Sequence, residues 1–271
     1  MRKTVSLAVT VCLVTLLHSF APAQRVVGNY DEQAEQQLVQ LLNQERARQG
    51  LPELRVDDRL RQAARDHSRL MADHKQLSHQ ISGEERLSKR LAATGIRFNN
   101  DAENVAYDDS VEGAHQGFMH SPGHRANILS PKYNAVGIGI VRRGEVLWVT
   151  EDFAHQLQEH TAAEAESMIV AAFKRLRAAK GMPPAQPVTV PQLRDIACRM
   201  ARTGSLDTKA PLDLPRVRAD ICFNSSDPSQ LPPNASKLAG DPSLKSFAVA
   251  ACFGATENYP AGTFWVAMVF Y

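Results

Sequence analysis

The stretch with the most chemical promise is His120-Ser-Pro-Gly-His-Arg-Ala-Asn-Ile-Leu129. Its local grammar is that of a helix start, with Ser121 suited to the N-cap and Pro122 to the first helical position. His124 then falls in the first turn, where unpaired N–H groups and the positive end of the helix dipole disfavour imidazolium. A neutral imidazole there can ligate a metal or accept a proton, or it can simply pin a short helix by hydrogen bonds. The boundary at Ser121-Pro122 removes the same-face relation that His120 and His124 would have inside one helix. Ser121 beside two histidines suggests a hydrolytic nucleophile, yet capping accounts for it and no Gly-x-Ser-x-Gly elbow surrounds it.

Other titratable residues carry weaker patterns. Glu112 and His115 share a helix face, an arrangement that usually meets solvent. His67 sits on the apolar stripe Leu60, Ala63, Ala64, Leu70, Met71 and reads as a satisfied core histidine. His74 and His155 read as exposed loop histidines.

The elements that must position these residues follow from periodicity. Asp31 is expected to cap a helix carrying Leu38, Leu41 and Leu42 and ending at Gly50. Asp57 or Asp58 starts a second helix. A polar loop, Lys75 to Gly83, contains His79 and precedes a helix over 84–93. A helix over 110–119 leads into the histidine stretch. Two strands, 135–141 and 146–153, are joined by the turn Arg142-Arg-Gly-Glu145. Helices first and paired strands late predict an α+β fold with helices packed on an antiparallel sheet.

Met1-Arg-Lys3, an apolar run Leu7 to Leu17 and Ala21-Pro-Ala23 have the form of a secretory signal peptide, expected at 1–23,. The mature chain is therefore expected to be secreted, extracellular or periplasmic, with no transmembrane segment after cleavage. Lys and Arg total 31 against 29 Asp and Glu, well interspersed, which gives no basis for a nucleic-acid partner,. Of the cysteines that survive cleavage, Cys198, Cys222 and Cys252, one pair is expected in an oxidising compartment. Cys222 with Cys252 is preferred because Cys198 reads as a buried helix position, although the sequence leaves the pairing open. The sequons at Asn224 and Asn234 matter only in a eukaryotic secretory pathway.

The second half echoes the first. Leu42-Asn-Gln-Glu-Arg-Ala-Arg-Gln-Gly-Leu-Pro52 is followed later by Phe173-Lys-Arg-Leu-Arg-Ala-Ala-Lys-Gly-Met-Pro183. Leu60-Arg-Gln-Ala-Ala64 matches Leu193-Arg-Asp-Ile-Ala197, and Trp148-Val-Thr-Glu-Asp-Phe153 matches Trp265-Val-Ala-Met-Val-Phe270. Three matches in order predict an internal duplication whose second copy has lost its middle. All nine histidines precede residue 161, so residues 158–271 are expected to be a truncated, degenerate copy without the histidine cleft.

Asn43-Gln-Glu-Arg46 with Gly50-Leu-Pro52, Leu77-Ser-His79, Ala102-Glu-Asn104, Ser121-Pro-Gly-His-Arg-Ala-Asn-Ile-Leu129 and Trp148-Val-Thr-Glu151 occur in order. Together they resemble the CAP superfamily of cysteine-rich secretory, antigen 5 and pathogenesis-related-1 proteins, in its bacterial secreted form. The resemblance implies a CAP domain over 24–157, a three-layer α-β-α sandwich with a central antiparallel sheet, and a cleft able to hold a divalent metal such as zinc. It places His79, Glu103 and His124 in that cleft. Ala102 replaces the glycine of the family's Gly-Glu-Asn motif, Trp148 stands where eukaryotic members have a histidine, and Glu151 replaces a glutamine.

Two neutral imidazoles and a carboxylate make a reasonable three-ligand zinc set with one position left for water. Glu151 could take a proton from that water, and Ser121 lines the same cleft. The expectation is a non-enzymatic protein that binds a lipid, a cell-envelope component or a partner protein. The alternative is a metal-dependent, peptidase-like hydrolase using His79, Glu103 and His124 with Glu151 as its catalytic base.

Overall fold

The computed structural model describes residues 30–271, so the signal peptide expected at 1–23 lies outside the described residues. Asp31 accepts the Ala34 N–H at 3.0 Å and opens α1 (Glu32–Arg48). Gly50, at φ +69°, turns the chain away beyond it,. Asp57 caps α2 (Asp58–His74) through the Arg59 and Leu60 amides. The first half continues with α3 (Leu87–Ala93), β2 (Phe98–Asp108), α4 (Val111–His120), α5 (Pro122–Ile128), β3 (Ala135–Arg143) and β4 (Val146–Gln156), and a short β1 (Arg55–Val56) precedes α2.

These strands form one sheet in the order β1-β3-β4-β2. β4 is antiparallel to both β3 and β2, while β1 runs parallel to β3, so the sheet is mixed and not wholly antiparallel. Period-2 alternation assigns the faces. Val136, Ile138, Val149 and Phe153 meet Leu38, Leu42 and Phe118 from α1 and α4. Ala135 and Ala154 meet Leu60 and Leu91 from α2 and α3 on the other side. The result is three layers, α-β-α.

The close seat of α2 depends on glycine. A Cβ at Gly137 would stand 2.1 Å from the Leu60 carbonyl carbon, and one at Gly139 would stand 2.2 Å from the Arg65 nitrogen. Helix backbone therefore rests almost directly on β3. A buried guanidinium fastens α1. Arg46 donates to the carbonyls of Pro52, Ile128 and Ser130, each at 2.8 Å, tying α1 to its own exit loop and to the end of α5.

Residues beyond 160 build α6 (Ala162–Ala179), β5 (Gln186–Pro187), α7 (Pro191–Thr203), β6 (Ala219–Ser225), α8 (Ala235–Ala239), β7 (Ser246–Gly254) and β8 (Thr263–Phe270). They form a second, smaller mixed sheet in the order β5-β7-β8-β6, with β5 parallel to β7. Phe173, Phe247 and Phe270 fill one face, and Leu193, Met200 and Trp265 fill the other.

Several expectations need correction. The disulfide joins Cys198 of α7 to Cys252 of β7, not Cys222 to Cys252. Cys222 lies on β6, and β8 stands between β6 and β7, so its strand never neighbours that of Cys252. Its free thiol is pushed up to about 12 by burial and by the Asp220 carboxylate. The helix expected from residue 84 begins at Leu87, because the Glu84 carboxylate accepts the Ile81 N–H and turns toward His67. Residues 98–108 form a strand that lacked an apolar signature, since Glu103 and Asn104 are buried polar positions. Ser121 holds the N-cap position of α5, but its side chain makes no capping bond.

Gly137→Val places branched carbons where Leu60 backbone stands. It is expected to destabilise the protein by about 1–3 kcal/mol, the usual cost of overpacking, measured as a shift in urea midpoint at unchanged m-value. Unchanged stability would mean that α2 can ride outward freely.

Candidate functional site

Strand β2 is the outer strand of the first sheet, and consecutive residues on it point to opposite faces. Glu103 lies opposite Asp152 of β4 and faces α2 and α3. Asn104 lies opposite Glu151 and faces α5. The site is built on the first face and completed around the sheet edge.

On that face Arg90 of α3 is paired with two carboxylates, Glu84 at 2.9 Å and Glu103 more closely still. His67, fully buried, donates from Nε2 to the Ser78 carbonyl at 2.9 Å, and its Nδ1 stands 2.8 Å from Glu84 Oε1. It is thus the core histidine that its stripe predicted, and it fastens the loop that carries His79. Asp152 is fully buried with neither oxygen hydrogen-bonded. Burial and the adjacent Glu103 charge push its carboxyl well above the ordinary carboxylate range,.

His79 reaches Glu103 from the loop after α2, its Nδ1 donating to Oε1 at 2.9 Å. The Glu103 hydrogen bond raises its pKa even though 61% of the side chain is exposed. His124 approaches from α5, its ring edge-on to Phe118 with centroids 5.3 Å apart. Burial, with the positive charge of His79 second, lowers its pKa. The shift runs in the direction expected from the helix start, with desolvation as its main cause. The two rings are tuned in opposite directions at one sheet edge, the pattern of a proton donor beside a proton acceptor.

Glu151 lies elsewhere. It is fully buried on the α5 face, accepting from Asn104 Nδ2 at 2.9 Å, with its other oxygen unpartnered. Asn104 also donates to the His124 carbonyl at 3.2 Å and accepts from Asn127 at 2.9 Å, so this cluster anchors the backbone of α5. Burial pushes Glu151 to about 8, which leaves it protonated near neutrality. The sheet separates it from the Glu103 carboxylate, so it is not placed as a base for chemistry between His79 and Glu103.

Among the described residues no group of three His, Cys, Asp or Glu side chains is arranged to hold a metal ion. Both Glu103 oxygens are engaged, one by His79 and one by Arg90. That leaves the two imidazoles as free donors, fewer than a zinc centre uses, so the expected three-ligand set of His79, Glu103 and His124 does not fit this arrangement. The remaining histidines stand apart. His115 is buried with Nε2 3.9 Å from Glu45, and its pKa is lowered by burial, whereas its helix partner Glu112 is exposed. His120 and His155 donate to the carbonyls of Gln116 and Lys132. Arg90 and Asp152 escaped the sequence reading. Arg90 fell within the helix expected over 84–93 with nothing to single it out, and Asp152 was signalled only by a second acid in the middle of an apolar strand.

Glu151→Gln keeps the shape and removes a titration. Native Glu151 holds its proton between the ordinary carboxylate range and about 8, while the unfolded chain releases it, so wild-type stability falls across that window as pH rises,. The stability difference should shift toward the variant by up to about 1.4 kcal/mol per pH unit there. Parallel profiles from urea unfolding at several pH values would contradict the protonated assignment.

Residues 39–153 match the CAP family, described as the cysteine-rich secretory protein family. The uncharacterized protein YkwD of Bacillus subtilis (strain 168) is 34% identical over 113 residues, 41% of this chain and 44% of that protein. The uncharacterized membrane protein YlbC of the same organism is 32% identical over 112 residues, 41% of this chain and 32% of that one. The chain thus spans less than half the length of these relatives. A solved extracellular protein containing a SCP domain from Bacillus anthracis str. Ames is 30% identical at a TM-score of 0.43, covering 46% of this chain and 41% of that one. Residues 39–153 are a CAP domain, also called an SCP domain, with bacterial homologues.

Proposed function

We propose that this is a secreted, non-enzymatic binding protein whose edge cleft, formed by His79 and His124 over Glu103, receives an acidic headgroup of a lipid or cell-envelope component. The observation that carries the reading is the pinned, exposed His79 imidazole, its pKa raised by Glu103, beside a neutral His124. A protonated ring held in place beside a neutral ring whose own N–H can also donate suits a phosphate or carboxylate group. The disulfide and the extracellular SCP-domain protein support secretion,.

The opposed shifts of the two histidines also favour a second reading, a hydrolase in which they act as an acid–base pair. Its metal-dependent, peptidase-like form would require Glu103 to give up its contacts with His79 and Arg90 so that the carboxylate could ligate beside the two imidazoles,.

We further propose that residues 158–271 are a degenerate second CAP-like copy. Both sheets share one strand order. Arg177 donates to the Pro183, Ala239 and Asp241 carbonyls, as Arg46 does to Pro52, Ile128 and Ser130. Glu35 joins Arg65 to the Ile140 N–H, and Glu166 joins Arg194 to the Ala251 N–H.

Sedimentation with phosphatidylglycerol vesicles separates the readings. Binding is expected to strengthen from about pH 8 to about pH 6 as His79 gains its proton, to survive EDTA, and to weaken roughly tenfold in His79→Ala. Peptide hydrolysis that EDTA abolishes and zinc restores would establish the hydrolase instead. Absence of vesicle binding at both pH values would overturn the headgroup reading.

A further inference from the structure

We propose that the seam between the two halves is a binding site for a neutral saccharide, distinct from the histidine cleft. The start of β2 and the end of β6, each the outer strand of its sheet, meet at a cavity of 410 Å³. Asn99 and Asp101 line it from the first half, and Asn224, Ser226, Asn258 and Tyr259 line it from the second. That volume lies in the usual range for small-molecule pockets, ~300–1,000 Å³.

The walls are held from both sides. Asn99 donates to Ser226 Oγ across the seam at 3.3 Å, and Asn224 donates to the Tyr259 hydroxyl at 3.3 Å. The loop presenting Asn258 and Tyr259 is closed by paired backbone bonds between Thr256 and Tyr259, each 3.1 Å. Gly262, at φ +80°, brings the chain back where any Cβ would stand 2.2 Å from the Phe253 ring,. Lys89 from α3 pairs with Glu257 of the same loop at 3.0 Å. The Arg97 guanidinium lies over the Phe253 ring, 4.0 Å from its centroid,. The cavity thus owes its shape to contacts that already exist without a ligand.

The lining selects the ligand class. It contains no lysine or arginine, which disfavours phosphate and carboxylate groups. Amides and hydroxyls dominate its polar surface and offer donors and acceptors together, the complement of sugar hydroxyls that are themselves both. Asp101, half-buried, accepts from Ser88 at 2.8 Å and supplies a further acceptor. Tyr259, a residue 40% exposed whose ring also packs edge-on against Trp265, lines the cavity as an apolar body with a polar tip suited to the C–H face of a pyranose,. An acyl chain would leave these amides unpaired.

Calorimetric titration of the mature chain with cellobiose and with N,N′-diacetylchitobiose tests the site. Saturable one-site binding of at least one is expected, weakened roughly tenfold or more in Tyr259→Ala and in Asn224→Ala, and unchanged in His79→Ala. Thermal unfolding checks that both variants keep the fold, and Asn258→Asp gives a rim variant of nearly equal size that should also weaken binding. Failure of both sugars to saturate, affinity indifferent to all three seam variants, or loss in His79→Ala would overturn the proposal. The vesicle experiment on the histidine cleft is read separately, so either reading can fail alone.

Discussion

The Arg90 guanidinium is packed against the carboxylates of Glu84 and Glu103, and the placement of Glu103 and His79 at the sheet edge follows from that pairing. An unpaired charge at this depth would cost several kcal/mol, so the ion and its partners must be placed together. Glu84 is drawn off the start of α3 to help meet Arg90, and the same carboxylate steadies His67. Asp152, a third acid within reach, is left without hydrogen bonds, and burial beside Glu103 pushes its carboxyl well up. What remains for ligand chemistry is the second Glu103 oxygen, and His79 takes it.

This arrangement makes Glu103 a positioning residue. It fixes the direction of the His79 ring and raises its pKa, while His124 arrives from the other side of the sheet edge with its pKa lowered by burial. The backbone of α5, which carries His124, is held by Asn104 and Asn127 under the protonated Glu151. Each face of the sheet therefore supports one histidine, and strand β2, carrying Glu103 and Asn104 in succession, links the two supports.

Much of this was legible in the sequence. Asp31, Asp57 and Gly50 mark helix ends because capping is a local interaction between neighbouring residues,. Strands β3 and β4 announce themselves by apolar runs around a short turn. β2 was hidden because its buried residues are polar, and their partners Arg90, Asp152 and Glu151 are distant in the chain. The same blindness affected the cysteines: the interposed β8 decides against Cys222 pairing with Cys252, and strand order is a long-range property. His79, Glu103 and His124 were readable only as separate motifs. The sequence carried no sign that Glu103 would be engaged by an arginine.

Nuclear magnetic resonance titration of the His79 and His124 side chains tests the pairing most directly, using wild type and Glu103→Gln. His79 is expected to titrate above the ordinary histidine value of about 6.5 and His124 below it. In Glu103→Gln, His79 should fall back toward that value while His124 stays low from burial. Two histidines titrating together near the ordinary value, or a His79 indifferent to Glu103→Gln, would contradict it.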